Sequence, residues 1–117
     1  MALAEFFDRN GNAVCYLHDD SHIFDWDGSP SGYIRNNVIY RYSGQVVGFL
    51  HRGWIYDVNG GAIAFSPGAS GGPLKPLRKL KPLKALRKLK PLKGIRHATP
   101  VRPIFKLKWS DSEWSDL

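Results

Sequence analysis

The chain has 117 residues, 17 Lys and Arg against 10 Asp and Glu, and a formal charge of +7, so one domain with a small core is the ceiling at this length. The charge is unevenly spread: residues 1–72 hold 4 basic and 7 acidic side chains, residues 73–108 hold 13 basic and no acidic ones, and residues 109–117 hold 3 acidic ones. No apolar run approaches the roughly 18 residues of a membrane helix, and a single cysteine, Cys15, excludes an internal disulfide or a multi-cysteine zinc site.

The chain starts Met1-Ala2-Leu3-Ala4-Glu5, without the basic start and apolar stretch of a secretory signal, so a reducing cytoplasm is the expected location. A repeat then begins. Phe6-Phe7-Asp8-Arg9-Asn10-Gly11, Ile23-Phe24-Asp25-Trp26-Asp27-Gly28, Ile39-Tyr40-Arg41-Tyr42-Ser43-Gly44 and Ile55-Tyr56-Asp57-Val58-Asn59-Gly60 align at spacings of 17, 16 and 16. Four residues after each glycine stands a small residue, Cys15, Gly32, Gly48 or Ala64, followed by an aromatic, Tyr16, Tyr33, Phe49 or Phe65. Asn-Gly, Asp-Gly and Ser-Gly between short runs of aromatic and β-branched residues predict a β-hairpin per copy, closed by a two-residue type I′ turn. Polar turns near Asp19-Asp20-Ser21, Asn36-Asn37 and His51-Arg52-Gly53 link the hairpins into an eight-stranded meander. One hairpin is marginal in water, so the four are expected to share a core of Phe7, Phe24, Tyr40 and Tyr56 with Tyr16, Tyr33, Phe49 and Phe65. Cys15 stands where the other copies place Gly or Ala, which gives it a packing role rather than a reactive one.

The basic segment repeats too. Gly72-Pro73-Leu74-Lys75-Pro76-Leu77-Arg78-Lys79-Leu80 recurs as residues 81–89, 90–98 and 99–107, with proline always second, and an apolar residue falls at every third position from Leu74 to Leu107. A period of three matches polyproline II rather than a helix or a strand, and recurrent proline opposes a helix. At about 3.1 Å per residue such a segment spans roughly 110 Å, against a circumference of roughly 90 Å for a compact body of this size. The expectation is a belt that makes one lap, each nonapeptide crossing one hairpin, with leucines inward and Lys and Arg outward or toward Asp8, Asp25, Asp27 and Asp57. Residues 109–117, acidic and aromatic, read as a terminal clasp or as a short peptide for a partner. The expected organisation is thus a hairpin body over 1–72, a basic belt over 73–108 and a tail over 109–117, forming one all-β unit of pseudo-fourfold symmetry.

The four aromatic-x-x-x-Gly copies with their small-aromatic pairs, the Gly71-Gly72-Pro73-Leu74-Lys75-Pro76 junction, the period-three Leu, Pro and Lys repeats and the Trp109-Ser110-Asp111 ending resemble the bacterial four-fold beta flower proteins. The resemblance implies a small bacterial protein of four-fold pseudosymmetric β architecture, and it carries no catalytic residues onto this chain.

Chemistry finds little footing in the residues. Asp25-x-Asp27-Gly28 and Asp57-x-Asn59-Gly60 open like a calcium loop but lack the later ligands, and turn chemistry accounts for them. His18 and His51 occupy equivalent positions, where copies two and four have Arg35 and Pro67, so a zinc site lacks ligands there. Gly68-Ala69-Ser70-Gly71-Gly72 lacks the lysine of a phosphate-binding loop, and no nucleophile elbow is present. No cofactor is expected. The reading is a non-enzymatic binding or structural interaction module, with a protein partner or a second copy as its counterpart. The alternative is anion or nucleic-acid binding by Lys75, Arg78, Lys79, Lys84, Arg87, Lys88, Lys93 and Arg96, helped by exposed aromatics such as Trp26 and Tyr42. A leucine stripe among the cations and an acidic body disfavour it. Membrane insertion is not expected, and surface adsorption wants an amphipathic helix that the prolines oppose.

Overall fold

The computed structural model describes residues 4–117. Eight strands follow in order, β1 (Ala4–Phe7), β2 (Ala13–Leu17), β3 (His22–Asp25), β4 (Pro30–Arg35), β5 (Val38–Tyr40), β6 (Val46–His51), β7 (Trp54–Asp57) and β8 (Ala62–Phe65). Each pairs antiparallel with the next, and β1 meets β8 where Phe7 faces Phe65, so the sheet closes into a barrel. The one other regular element among the described residues is a 3-10 turn at Trp114–Asp116. The molecule is flat, 36 × 36 × 22 Å.

The small residue of each repeat has a defined partner. Across the hairpins Phe6 faces Cys15, Ile23 faces Gly32, Ile39 faces Gly48 and Ile55 faces Ala64. These residues point inward, and the core cluster joins Phe6, Cys15, Ile23, Ile39, Ile55 and Ala64 to Val47, Ile63 and Trp114. An eight-stranded barrel leaves room for little more than its own side chains. A large residue set against a small one in every hairpin fills it without crowding. Cys15 is fully buried, and burial, with the nearby Asp25 carboxylate adding to it, pushes its thiol pKa well up.

A bulge follows the inward residue in every copy, between Phe6 and Phe7, Ile23 and Phe24, Ile39 and Tyr40, and Ile55 and Tyr56. Successive strand residues face opposite sides of a sheet, and a bulge bends the strand further. The eight aromatics expected in the shared core are therefore buried, but as a second layer on the outer wall of the barrel. There they pair across strands, Phe7 with Phe65, Tyr16 with Phe24 and Tyr33 with Tyr40, at ring separations of 5.9, 6.0 and 5.5 Å. Phe105 stacks on Tyr56 of the fourth hairpin at 4.4 Å and meets Phe49 of the third at 6.1 Å.

The hairpin turns differ from the two-residue type I′ expectation. The N–H of Asp8 donates to the Asn12 carbonyl and that of Gly11 to the Asp8 carbonyl, with the same pair of bonds at Asp25, Arg41 and Asp57. Each loop thus has three residues, and only its glycine, φ +81° to +99°, is left-handed, as in a type I turn closed by a glycine bulge. In two of the four loops an aspartate supports this form, which the third loop adopts with Arg41 in its place. Asp8 Oδ1 accepts the N–H groups of Asn10 and Asn12, and Asp57 Oδ1 those of Asn59 and Gly61, all at 2.9 Å. Positive φ at both central residues, the mark of type I′, occurs instead in the links Asn36-Asn37 and Arg52-Gly53.

Candidate functional site

Residues 74–106 form neither helix nor strand, and they cross all four hairpin loops at the same point. The N–H groups of Lys79, Lys88, His97 and Lys106 donate to the carbonyls of Gly11, Gly28, Gly44 and Gly60 at 2.8 to 2.9 Å. Two residues earlier, the carbonyls of Leu77, Leu86, Ile95 and Ile104 lie where a side chain at these four glycines would stand. The nine-residue step of the belt therefore matches the sixteen-residue step of the barrel. Further bonds run from the N–H of Ala85 to the Trp26 carbonyl, from the N–H of Gly94 to the Tyr42 carbonyl, and from Trp26 Nε1 to the Pro82 carbonyl at 2.8 Å. Where the belt starts, the backbone of Gly72 lies against the Trp54 ring.

These bonds fix the rotation of the belt, and the outcome inverts the expected faces. The fourth and seventh residues of the copies supply the side chains that cover the barrel, joined by Thr99 at a first position. Arg78 lies over Phe7, Arg87 over Phe24, Lys93 over Tyr33 and Arg96 over Tyr40, while Lys84 covers both Tyr16 and Trp26. Thr99 bonds Tyr40 Oη at 2.9 Å, and Phe105 takes the arginine position over Tyr56. The leucines point away from the barrel, 87% to 100% exposed from Leu74 to Ile104. A wall of ring faces favours a cation on a long apolar stem, which covers the ring and keeps its charge near water.

The cations also neutralise less of the body than expected. Among the described residues the ion pairs of the belt are both with Glu5, from Lys81 at 2.7 Å and Lys84 at 2.6 Å. Burial raises the Glu5 pKa, but the two lysines outweigh it and hold the carboxyl below its ordinary value. The turn aspartates have other partners. Asp8 and Asp57 cap their own loops, and Asp25 accepts from Trp114 Nε1 at 2.8 Å. Asp27 alone feels a belt cation, Lys88, and its pKa is lowered chiefly by bonds from Ser29, with Lys88 adding to them.

Of the eight candidate anion ligands, Arg78, Lys84, Arg87, Lys93 and Arg96 sit on rings, and Lys75 donates to the Ala69 carbonyl at 2.7 Å. Lys79 and Lys88 are exposed at the eighth position. Neither aromatic named as a base-stacking platform is free: Tyr42 is buried, and Trp26 is covered by Lys84.

The tail closes one mouth of the barrel. Ala62 and Trp109 form a parallel bridge, Trp109 packs edge-on to Trp54 and Phe65, and the Ser110 hydroxyl donates to Asp57. Arg9 donates to the Ser110 carbonyl. Trp114, buried, enters the core cluster. Beside it an open cleft of about 430 Å³ is lined by Asp8, Asp25, Arg41 and Glu113. At the other end of the barrel His51 stacks on Phe105 at 4.7 Å and its Nδ1 accepts from Arg102 at 2.9 Å. Burial and then the adjacent arginines hold the His51 pKa down. Among the described residues no group of three or more His, Cys, Asp or Glu is placed to hold a metal, and no helix is long and apolar enough to cross a membrane.

Two residues with clear structural duties, Phe105 and Trp114, carried only a faint mark in the sequence. Phe105 is the one apolar residue at an inward belt position of copies one to four where the others have Arg, and Trp114 lies outside both repeats. No curated protein and no solved structure matches this chain. A family model does match, over residues 4–117, and the chain belongs to the family it describes, the 4-fold beta flower proteins.

Proposed function

We propose that this small β-repeat protein is a non-enzymatic interaction module and that its contact surface is the outer face of the belt. One observation carries the reading: eleven large apolar side chains from Leu74 to Leu107 stand at least 74% exposed, every third residue, on a chain segment pinned to the barrel by its backbone. Water-facing apolar surface on that scale marks sites of association. Bracing against the barrel lowers the ordering cost that a free segment would pay on binding. The turn carboxylates at the barrel mouth, by contrast, are engaged by backbone N–H groups, Ser110 and Trp114, which leaves them poorly placed for acid or base work.

The test replaces one outward residue per nonapeptide, in the variant Leu74→Ser, Leu83→Ser, Leu92→Ser, Val101→Ser. The parent should bind an environment-sensitive apolar dye, and the variant should lose most of that signal with an unchanged far-ultraviolet spectrum. Equal dye binding by both would sink the reading. Anion binding is the second reading, favoured by the exposed Lys79 and Lys88. It predicts affinity for oligonucleotides that falls steeply with salt.

A further inference from the structure

We propose that the belt adsorbs to an anionic lipid surface, its leucines entering the interface and its outward lysines meeting the headgroups. The inference rests on the reading of the belt as a contact surface and names what it contacts. Proline argues against an amphipathic helix in this segment, but a helix is one way among several of holding an apolar row beside a cationic one. Here the barrel does the holding. The bonds to Gly11, Gly28, Gly44 and Gly60 fix the rotation of the segment, the inward cations are spent on rings, and the outward face alternates leucine with exposed lysine, as at Leu77, Lys79 and Leu80 or Leu86, Lys88 and Leu89. Those are the two components of interfacial adsorption, apolar burial near the acyl boundary and attraction to anionic lipid.

Charge separates this surface from the competing occupants. A second copy would bring two belts of 13 cations and no anions against each other, and like charges oppose that contact. A nucleic acid would satisfy the lysines and leave the leucine row against phosphate and water. A lipid surface carrying anionic headgroups above hydrocarbon accommodates both. Because the belt passes all four hairpins of a disc 36 Å across and 22 Å thick, a flat surface touches one sector at a time. Three of the four sectors hold the alternation, at Lys79-Leu80, Lys88-Leu89 and Lys106-Leu107, and the third has His97-Ala98 instead, so the protein stands on edge with three comparable footings.

The experiment is co-sedimentation of the full-length protein with vesicles of phosphatidylcholine alone and of phosphatidylcholine mixed with phosphatidylglycerol. Binding to the mixed vesicles and not to the neutral ones is expected. The four-serine variant should bind them about tenfold more weakly. The variant Lys79→Gln, Lys88→Gln, Lys106→Gln, which keeps the backbone N–H groups that hold the belt, should bind about fivefold more weakly. Mixed-vesicle binding that ignores the serine substitutions would overturn the inference as purely ionic. A parent that takes up the apolar dye but ignores both vesicles would overturn it while leaving the belt a contact surface. A parent that ignores dye and vesicles alike would overturn both. Retention of an oligonucleotide without vesicle binding, or a concentration-dependent dimer in sedimentation velocity without it, would reassign the surface to that occupant.

Discussion

Asp19 organises the first link between hairpins with a single carboxylate. Its Oδ1 accepts the N–H groups of Ser21 at 2.9 Å and of His22 at 2.7 Å, and Oδ2 lies 3.0 Å from His22 Nδ1. Burial pushes the Asp19 pKa up, but these bonds outweigh it and hold the carboxyl far below its ordinary 3.8. Glu5 is shifted in the same direction, its burial outweighed by Lys81 and Lys84. For both groups the unfolded chain binds the proton more readily than the folded one. Their stabilisation is therefore complete above the ordinary carboxylate range and is lost as pH falls through it toward the folded pKa. The melting temperature should drop progressively from about pH 5 downward, continuing below about pH 3, and Asp19→Asn should flatten part of that drop, most of all at its acid end, while lowering stability at neutral pH. An Asn variant with the parent's full acid sensitivity would remove Asp19 from the account. The effect is modest, because both carboxylates keep contact with solvent, which screens them.

At the scale of the element, the hairpins show what a repeat discloses and what it withholds. Spacing and turn residues disclosed four hairpins and eight strands, and the small slot after each glycine pointed to close packing at Cys15, Gly32, Gly48 and Ala64. The slot's partner was not legible, since register depends on a bulge that no residue type announces. Nor was the three-residue loop, because Asn-Gly and Asp-Gly suit either turn, and the two-bond cap of Asp8 and Asp57 is absent from the equally three-residue loops at Asp25 and Arg41. Gly48 gives a sharp test of the bulged geometry. A methyl group there would overlap the Tyr56 carbonyl of the next strand, whereas at Gly68 it meets nothing within 4 Å. Gly48→Ala should cost about 1 to 3 kcal/mol in urea unfolding, and Gly68→Ala less than about 0.5 kcal/mol. Equal effects at the two sites would mean that the strands pair differently at this hairpin.

Across the whole molecule, the period of three in the basic segment was readable, and its inward face was not. Periodicity tells which residues share a side of the chain and says nothing about what that side touches. The deciding feature is the outer wall of the barrel, whose rings become a surface only when eight strands have closed and each bulge has turned Phe7, Phe24, Tyr40 or Tyr56 outward. Once that wall exists, cations on apolar stems cover it and the leucines are left to solvent. The body and the belt then depend on one another: the belt has no strand or helix of its own, and without it the aromatic wall would face water. Two truncations separate the contributions. Ending the chain at Lys108 removes Trp114 from the core and the bridge at Trp109, a loss on the scale of about 3 to 5 kcal/mol for a buried tryptophan, so a cooperative transition at lower temperature is expected. Ending it at Gly72 also uncovers the rings and removes every bond to the four loop glycines. That product should lose its cooperative melting transition and its near-ultraviolet signal, or aggregate. If it stays monomeric and melts where the full chain does, the barrel is self-sufficient and the belt is cargo that it carries.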